Sequence, residues 1–180
     1  VRIKRTFMGG DYLGSAGHTA PMSGSKLTLL DAMFLAAESR ESMMHVGALS
    51  IFEPAQGASA TTLREMADEM RTEAVHGPWN LKLKAPDFLS DPRQAWVEDA
   101  GIDVDYHLRR SGLPSPQSER ELGSLVSRLH GSQLDFHRPP WEMHLIEGLA
   151  DGRFALYHKV HHSLIDGYSG MRLLASSLSE

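Results

Sequence analysis

Residues 158–167 read His158-Lys159-Val160-His161-His162-Ser163-Leu164-Ile165-Asp166-Gly167, and they fall where the expected secondary structure changes from strand to helix. Before this run, Arg153 to Val160 alternates between an apolar face and a face with Tyr157 and Lys159, which predicts a strand. After it, apolar residues at helical spacing predict a helix from Asp166 onward: Met171, Leu174 and Leu178. The adjacent histidines therefore lie at a strand end, where a loop can present catalytic groups on a rigid scaffold.

Strands and amphipathic helices alternate along the rest of the chain. Trp141 to Leu149 predicts the strand before the histidine strand, and Asp151-Gly152 between them is a hairpin turn signal. Further strands are predicted over residues 43–52, 79–83, 95–98 and 104–108. Helices are predicted from Thr28 and over residues 61–75 and 119–131. This order predicts an α/β layered domain with a mixed, largely antiparallel sheet.

Two local expectations follow from spacing. Thr28 and Asp31 have the spacing of a capping box, with Asp in place of the usual Glu. The helix that they begin has an apolar stripe, which we expect to pack in the core. The stripe consists of Leu29, Leu30, Met33, Phe34 and Ala37. Farther along, Asp103, Asp105 and His107 alternate, so in a strand they would share a polar outer face.

The chemistry of residues 158–167 is that of proton transfer. Histidine has an unperturbed pKa of about 6.5, so it can take and return a proton near neutral pH. His162 is the better candidate for a general base, because the loop can release it from the sheet. Asp166 would orient an imidazole or form an ion pair that holds the loop. Gly167 suits a backbone with positive φ or a close approach to a neighbour.

A metal site is the sharpest alternative reading of these residues. His158, His161, His162 and Asp166 are suitable ligand types for zinc or iron. However, adjacent residues on a continuing strand point to opposite faces, and the chain has neither cysteine nor an HExxH motif. We therefore rank acid–base use above metal binding and predict no metal.

The composition removes several other classes of protein. The 180 residues are 41% hydrophobic and 23% charged, as in an ordinary globular protein with a core. A net charge of −5 argues against nucleic acid as the main partner. Without cysteine there are no disulfides and no thiol catalysis, which fits a cytoplasmic location. No apolar run approaches the roughly 20 residues that span a bilayer, and GxSxG, P-loop and Rossmann glycine patterns are absent.

The spacing of His161, His162, Asp166 and Gly167 resembles the HHxxxDG motif of the CoA-dependent acyltransferase superfamily, which includes chloramphenicol acetyltransferases and condensation domains of peptide synthetases. Further stretches, in order, resemble the bacterial wax ester synthase/diacylglycerol acyltransferases: residues 28–35, 44–47, 134–142 and 146–149. One departure is Pro140 before Trp141, where that family more often has leucine; the exchange touches packing rather than chemistry.

This resemblance implies a chloramphenicol-acetyltransferase-like fold in two similar halves, of which residues 26–180 form the first. Residues 1–25 are outside the resemblance, and we expect a flexible extension or an added segment there. The second half of the same enzyme, in a remaining part of the gene product or in another chain, would then complete the active site. Within the first half, the resemblance makes His162 the base and gives His161 a supporting role. It also places Asp166 and Gly167 in the structure of the motif, and His45 and Trp141 along a substrate channel, although core packing explains Trp141 as well.

The implied reaction moves a long-chain acyl group from acyl-CoA to a fatty alcohol or a diacylglycerol. Acyl-CoA is then a co-substrate, and no other cofactor is expected. Such apolar substrates suggest peripheral contact with a membrane or lipid droplet. Three alternatives stay open: a condensation-type enzyme that uses carrier-protein thioesters, a non-catalytic lipid-binding half-domain, and a metal hydrolase.

Overall fold

The computed structural model describes residues 2–3, 23–55, 57, 61–165 and 178–179. In chain order these residues form β1 (Arg2–Ile3), α1 (Leu29–Ala37), β2 (His45–Phe52), α2 (Thr62–Thr72), β3 (Leu81–Leu83), β4 (Trp96–Glu98), α3 (Val104–His107), β5 (Leu108–Gly112), α4 (Glu119–His130), β6 (Trp141–Glu147), β7 (Phe154–His161) and β8 (Leu178–Ser179). The predicted α/β class is confirmed by this order of elements.

The central sheet has four strands in the order β2-β7-β6-β5. β7 is antiparallel to β2 and to β6, whereas β5 runs parallel to β6, so the predicted mixed, largely antiparallel sheet is confirmed. The register places His161 of β7 opposite His45 and places Val160 opposite Trp141. The connection from β6 to β7 has glycines with positive φ at 148 and 152, which confirms the predicted turn.

Each face of this sheet is covered by a different helix, because side chains alternate along a strand. On one face, Leu145, Phe154 and Leu156 pack against Ala67 of α2. On the other face, Ile146, Ala155 and Tyr157 pack against Leu122 of α4. The domain therefore has three layers, with the sheet between the two helices. We call these the α2 face and the α4 face.

The helix boundaries follow from local capping. The Thr28 hydroxyl accepts the Asp31 N–H at 3.1 Å, and the Asp31 carboxylate accepts the Thr28 N–H at 3.0 Å, which confirms the capping box. Ser118 and Glu121 form a second capping box at the start of α4. Such caps satisfy backbone donors that a helix leaves unpaired at its first turn.

The strand predicted over residues 104–108 is wrong for most of its length. Val104–His107 is a one-turn helix, and strand pairing starts only at Leu108. The cause is local, because the Asp103 carboxylate accepts the Tyr106 N–H at 3.2 Å and caps the turn. Asp103, Asp105 and His107 consequently share no strand face, and His107 is fully buried.

The expected core packing of the α1 stripe is also wrong. The side chains of Leu29, Met33 and Leu30 are 81%, 60% and 43% exposed. α1 instead buries Leu35 and the capping residue Asp31. Sequence periodicity identified an apolar face of the helix, but it does not show whether a partner covers that face.

The predictions at the two chain ends have mixed outcomes. Leu178, expected in a helix, lies in β8, which pairs with β1. Asp166, Gly167, Met171 and Leu174 lie outside the described residues. Near the end of the expected extension, the Gly24 N–H donates to the carbonyl of Trp96, the first residue of β4, and the Trp96 N–H donates to the Ser25 carbonyl. Within the described ranges, no helix has the length and apolar character needed to cross a bilayer.

Candidate active site

Backbone hydrogen bonds hold the two adjacent histidines at the end of β7. The His161 N–H donates to the Pro140 carbonyl at 3.0 Å, and the His162 N–H donates to the Met44 carbonyl at 2.9 Å. Beyond them, the Leu164 N–H turns back to the His161 carbonyl at 3.0 Å, and the side chain of Leu164 is buried in the core. The histidine pair is therefore fixed from both neighbouring strands and from the following turn.

The ring of His162 lies against α1. It stacks on Phe34 with ring centroids 4.6 Å apart and an angle of 11° between the planes. Its Nδ1 atom is buried and has no hydrogen-bond partner among the described residues, whereas the residue as a whole is partly exposed. His162 thus combines a fixed backbone, a fixed ring plane and partial access to solvent.

His161 has the opposite environment and is only 1% exposed. Its Nδ1 accepts the backbone N–H of Ser163 at 3.2 Å and lies 2.7 Å from the Ser163 hydroxyl. Since Nδ1 accepts, the ring proton is on Nε2, which lies 3.5 Å from Glu38 Oε2. Burial lowers the pKa of His161 to about 4, although Glu38 acts in the opposite direction. His161 is therefore neutral near pH 7.

Glu38 is a site residue that sequence reasoning missed. It follows the last residue of α1, and its side chain is 1% exposed. Its Oε2 accepts the Met44 N–H at 2.5 Å, and its Oε1 accepts the side-chain amide of Gln133 at 2.9 Å. The available signal was its spacing of four residues from Phe34, which puts both side chains on one side of the helix.

A row of buried polar groups crosses the α4 face next to the histidines. Glu142 lies 3.3 Å from both His144 Nε2 and Lys159 Nζ, and 3.7 Å from Arg109. Burial opposes ionisation of Glu142, but the His144 hydrogen bond and the positive charges outweigh it and lower its pKa to about 2. Lys159 is fully buried. The sequence had indicated only that it lies on the strand face opposite the apolar one, and not that this face is covered.

Lys159 also holds the end of α4. Its ammonium donates to the carbonyls of Leu129 and Ser132, each at 2.9 Å, and to the Ser132 hydroxyl at 3.1 Å. A cation at this position satisfies carbonyls that the last helical turn leaves unpaired and interacts favourably with the helix dipole. The row is thus connected to the helix that covers it.

His45, a predicted channel residue, points to the α4 face and is 8% exposed. Its Nε2 donates to the His130 carbonyl at 2.8 Å, and the His130 ring in turn is hydrogen-bonded to the Tyr157 hydroxyl at 2.8 Å. Burial lowers the pKa of His45, and its hydrogen bond to His130 acts in the opposite direction. A role along a substrate channel stays a prediction.

Trp141, the second predicted channel residue, is part of the core cluster and 3% exposed. Its indole N–H donates to the Trp79 carbonyl at 2.7 Å, and its ring stacks on His107 with centroids 4.5 Å apart. The polar atom of the indole is therefore already used within the core. This position agrees with the packing role, while a channel role stays a prediction.

The potential metal ligands of β7 are on different faces of the sheet. His158 is opposite Met143 on the α2 face, whereas His161 is opposite His45 on the α4 face. Burial lowers the pKa of His158 to about 4. In residues 2–3, 23–55, 57, 61–165 and 178–179, no three His, Asp or Glu side chains form a group that could hold a metal. Asp166 and Gly167 are not among the residues described.

The fold and the site define an α/β acyltransferase-like domain in which a sheet strand ends at a pair of histidines. Comparison with known proteins gives the family. A sequence profile of the wax ester synthase/diacylglycerol acyltransferase catalytic domain matches residues 27–180, and the chain belongs to this family. Two Mycobacterium tuberculosis proteins that carry the name diacylglycerol O-acyltransferase are 56% and 52% identical to it, each over 149 residues. These matches cover 83% of the chain but only 30% and 33% of the relatives.

Solved structures agree with this assignment. A wax ester synthase/diacylglycerol acyltransferase from Marinobacter aquaeolei superimposes with a TM-score of 0.80 and 43% identity, over 86% of this chain and 38% of that one. The tallysomycin biosynthesis protein TlmII superimposes with a TM-score of 0.60 at 18% identity, which shows a shared fold alone. The chain thus spans about a third of the length of the relatives that it matches.

Proposed function

We propose that the protein containing this chain transfers a long-chain acyl group from acyl-CoA to the hydroxyl of a fatty alcohol or a diacylglycerol. The observation that carries the proposal is the position of His162, which is fixed at the end of β7 and remains partly exposed. The names of the relatives support this reaction class.

In the proposed reaction, His162 acts as the general base. Its Nε2 takes the proton of the acceptor hydroxyl while the oxygen attacks the thioester carbonyl, because Nδ1 is buried. The tetrahedral intermediate then expels the CoA thiolate, which receives the proton back from His162. The products are the ester and CoA-SH. A thioester is already activated, so no covalent acyl-enzyme is needed, and acyl-CoA is a co-substrate without any further cofactor.

His161 supports the geometry in this proposal rather than moving protons. It is neutral, buried and held by Ser163 and Glu38. Asp166 and Gly167 would hold the loop after the histidines. His45 and Trp141 would lie along the substrate channel, where they hold the strands that form its wall.

We further propose that the second half of the same enzyme completes the site. The matches support this, since they cover only 30% and 33% of the two relatives. The proposed location is cytoplasmic, with peripheral contact with a membrane or lipid droplet, because the substrates are apolar. Nucleic acid is not a proposed partner.

The test measures thiol release from a long-chain acyl-CoA with and without a fatty alcohol or diacylglycerol, using the complete gene product. His162→Ala should lower alcohol-dependent release by about 10²–10⁴-fold, the usual contribution of general-base catalysis. The control is His76→Ala, because His76 is exposed and distant in sequence from the motif. Near-normal turnover by folded His162→Ala would overturn the assignment of the base.

The acceptor dependence separates the remaining alternatives. Release that is independent of any alcohol would indicate a thioesterase. No release from folded protein, together with transfer from an acylated carrier protein, would indicate a condensation-type enzyme. Binding of acyl-CoA without turnover of either donor would indicate a lipid-binding protein.

A further inference from the structure

The side chain of Glu38 joins three segments that meet at the two histidines. It extends from the end of α1 and contacts Met44 just before β2, His161 at the end of β7 and Gln133 after α4. We propose that Glu38 is a positioning residue that sets the geometry of both histidines, an inference that rests on the acyl transfer proposed above. It would act through its hydrogen-bond acceptors and would touch no substrate.

The connection to His162 goes through a single residue. Met44 donates its N–H to Glu38 at 2.5 Å and accepts the His162 N–H on its carbonyl at 2.9 Å. A shift of the Met44 backbone, carried from its N–H to its carbonyl, would therefore move the backbone of His162. Phe34, four residues earlier on α1, stacks on the His162 ring. Glu38 thus fixes both the backbone of Met44, the residue that holds His162, and the helix end near the stacking partner of His162.

The connection to His161 is direct. The Nε2–H of this ring lies 3.5 Å from Glu38 Oε2, with both side chains 1% exposed. This separation is too long for a full hydrogen bond, so Glu38 Oε2 faces the buried Nε2–H as an acceptor at a distance without closing a bond to it. On its other edge, Nδ1 already accepts from Ser163. Removal of the Glu38 carboxylate would take away the acceptor that faces this buried N–H, and the imidazole ring could then rotate.

This role is separable from helix capping. The backbone N–H of Glu38 donates to the Leu35 carbonyl at 3.4 Å, and a change of the side chain leaves that bond in place. Glutamine at position 38 is also accommodated. Its amide oxygen can accept from Met44 and face His161, while its NH₂ group donates to Gln133, whose exposed amide can turn over. Alanine provides no acceptor at all.

The experiment compares Glu38→Gln and Glu38→Ala in the complete gene product, with Glu41→Ala as a control. Glu41 is an exposed acidic residue three positions away. We expect Glu38→Ala to lower kcat by about 10²-fold with little change in KM, since a displacement of about 1 Å can cost that much. Glu38→Gln should stay within about threefold of the wild type. Assays are made well below the melting temperature of each variant.

Two results would overturn the proposal. A kcat for Glu38→Ala equal to that of Glu41→Ala would show that Glu38 does not position the histidines. Equal losses in Glu38→Gln and Glu38→Ala would show that its charge matters, not its role as an acceptor.

A second measurement does not depend on turnover. The measurement is the NMR chemical shift of the His162 amide proton. Relative to the wild type, this shift should change in Glu38→Ala and stay the same in Glu38→Gln. An unmoved His162 signal in the alanine variant contradicts the proposed path through Met44. If the wild type transfers no acyl group, the proposed function fails, while this signal still decides whether Glu38 controls the position of His162.

Discussion

The two faces of the central sheet are built from the same strands but from different chemistry. The α2 face of β6 and β7 is dominated by apolar and aromatic side chains, including Trp141, Met143 and Phe154. The α4 face, one residue out of phase, buries Glu142, Lys159 and a line of histidines. The first face gains stability from apolar burial, whereas the second requires a partner for every charge.

This difference locates the candidate site. The buried polar row of the α4 face continues along β7 to His161, and the chain leaves the sheet at the next residue. Buried ion pairs are weak sources of stability, but they penalise arrangements in which a charge has lost its partner. We infer that the row holds α4 and β7 in one register, so that His162 emerges at a defined place.

The largest stability effect should come from breaking the pair within the row. Lys159→Met keeps the volume of the side chain but leaves Glu142 buried and the end of α4 without its cation. We expect a loss of about 3–5 kcal/mol in the free energy of unfolding, measured with urea at pH 7. Met143→Ala, on the α2 face, should lose about 2–5 kcal/mol through a cavity.

The second substitution distinguishes the two causes. Adding Glu142→Gln to Lys159→Met removes the buried carboxylate that has lost its lysine partner, and it should recover part of the loss. Adding it to Met143→Ala should recover none. Simple additivity in both pairs would contradict the view that the α4 face is governed by charge pairing.

A smaller effect should appear as two steps in the dependence of stability on pH. The pKa of His161 is lowered from 6.5 to about 4, so the unfolded chain binds its proton more tightly. Its contribution is complete above about pH 6.5 and is lost as the pH falls toward 4. His158, on the α2 face, shares this window. Glu142, lowered from 4.5 to about 2, loses its contribution between those two values.

Glu142 should cause the largest part of the lower step, to which Asp91 and Glu121 add, because hydrogen bonds to Arg93 and Ser118 also lower the pKa of these two carboxyls. Urea unfolding at a series of pH values should show stability falling first between about 6.5 and 4 and again below about 4.5. Glu142→Gln should make the second fall smaller and keep the first. A second fall that is unchanged in this variant would show that other carboxylates cause it.

The sequence predicted the fold class, the end of β7 and the capping box of Thr28 and Asp31, because these depend on residues close together in the chain. Period-two alternation also placed Tyr157 and Lys159 together on one face, but it could not show that α4 covers this face. Partners such as Lys159 and Leu129 are separated by 30 residues, so only the folded chain shows their contact. The apolar stripe of α1 shows the opposite failure. The helical pattern was predicted correctly, but the core that was expected to cover the stripe is not there among the described residues.

Glu38 shows the same limit within the site. Its contact to Gln133 joins residues 95 positions apart, and only its spacing from Phe34 is local. The one-turn helix at Val104–His107 was not predicted for a different reason, because a single turn is too short to show a helical period. Asp103, whose side chain caps that turn, was instead assigned to a strand face.

The smallest effect tests how closely the α4 face is packed beside the site. A Cβ atom on Gly47 would lie 2.7 Å from the Tyr157 hydroxyl and 3.0 Å from His130 Nδ1, so it would push apart the hydrogen bond between them. Gly47→Ala should therefore lower the melting temperature, with a cost of about 1–3 kcal/mol. The matched control is Gly123→Ala on the exposed side of α4, where a Cβ meets nothing within 4 Å. That change should stabilise by about 0.5–1 kcal/mol, because alanine favours helix more than glycine does. Equal effects of the two substitutions would show that β2 can move away from α4, and the register inferred for His162 would lose its support on that side.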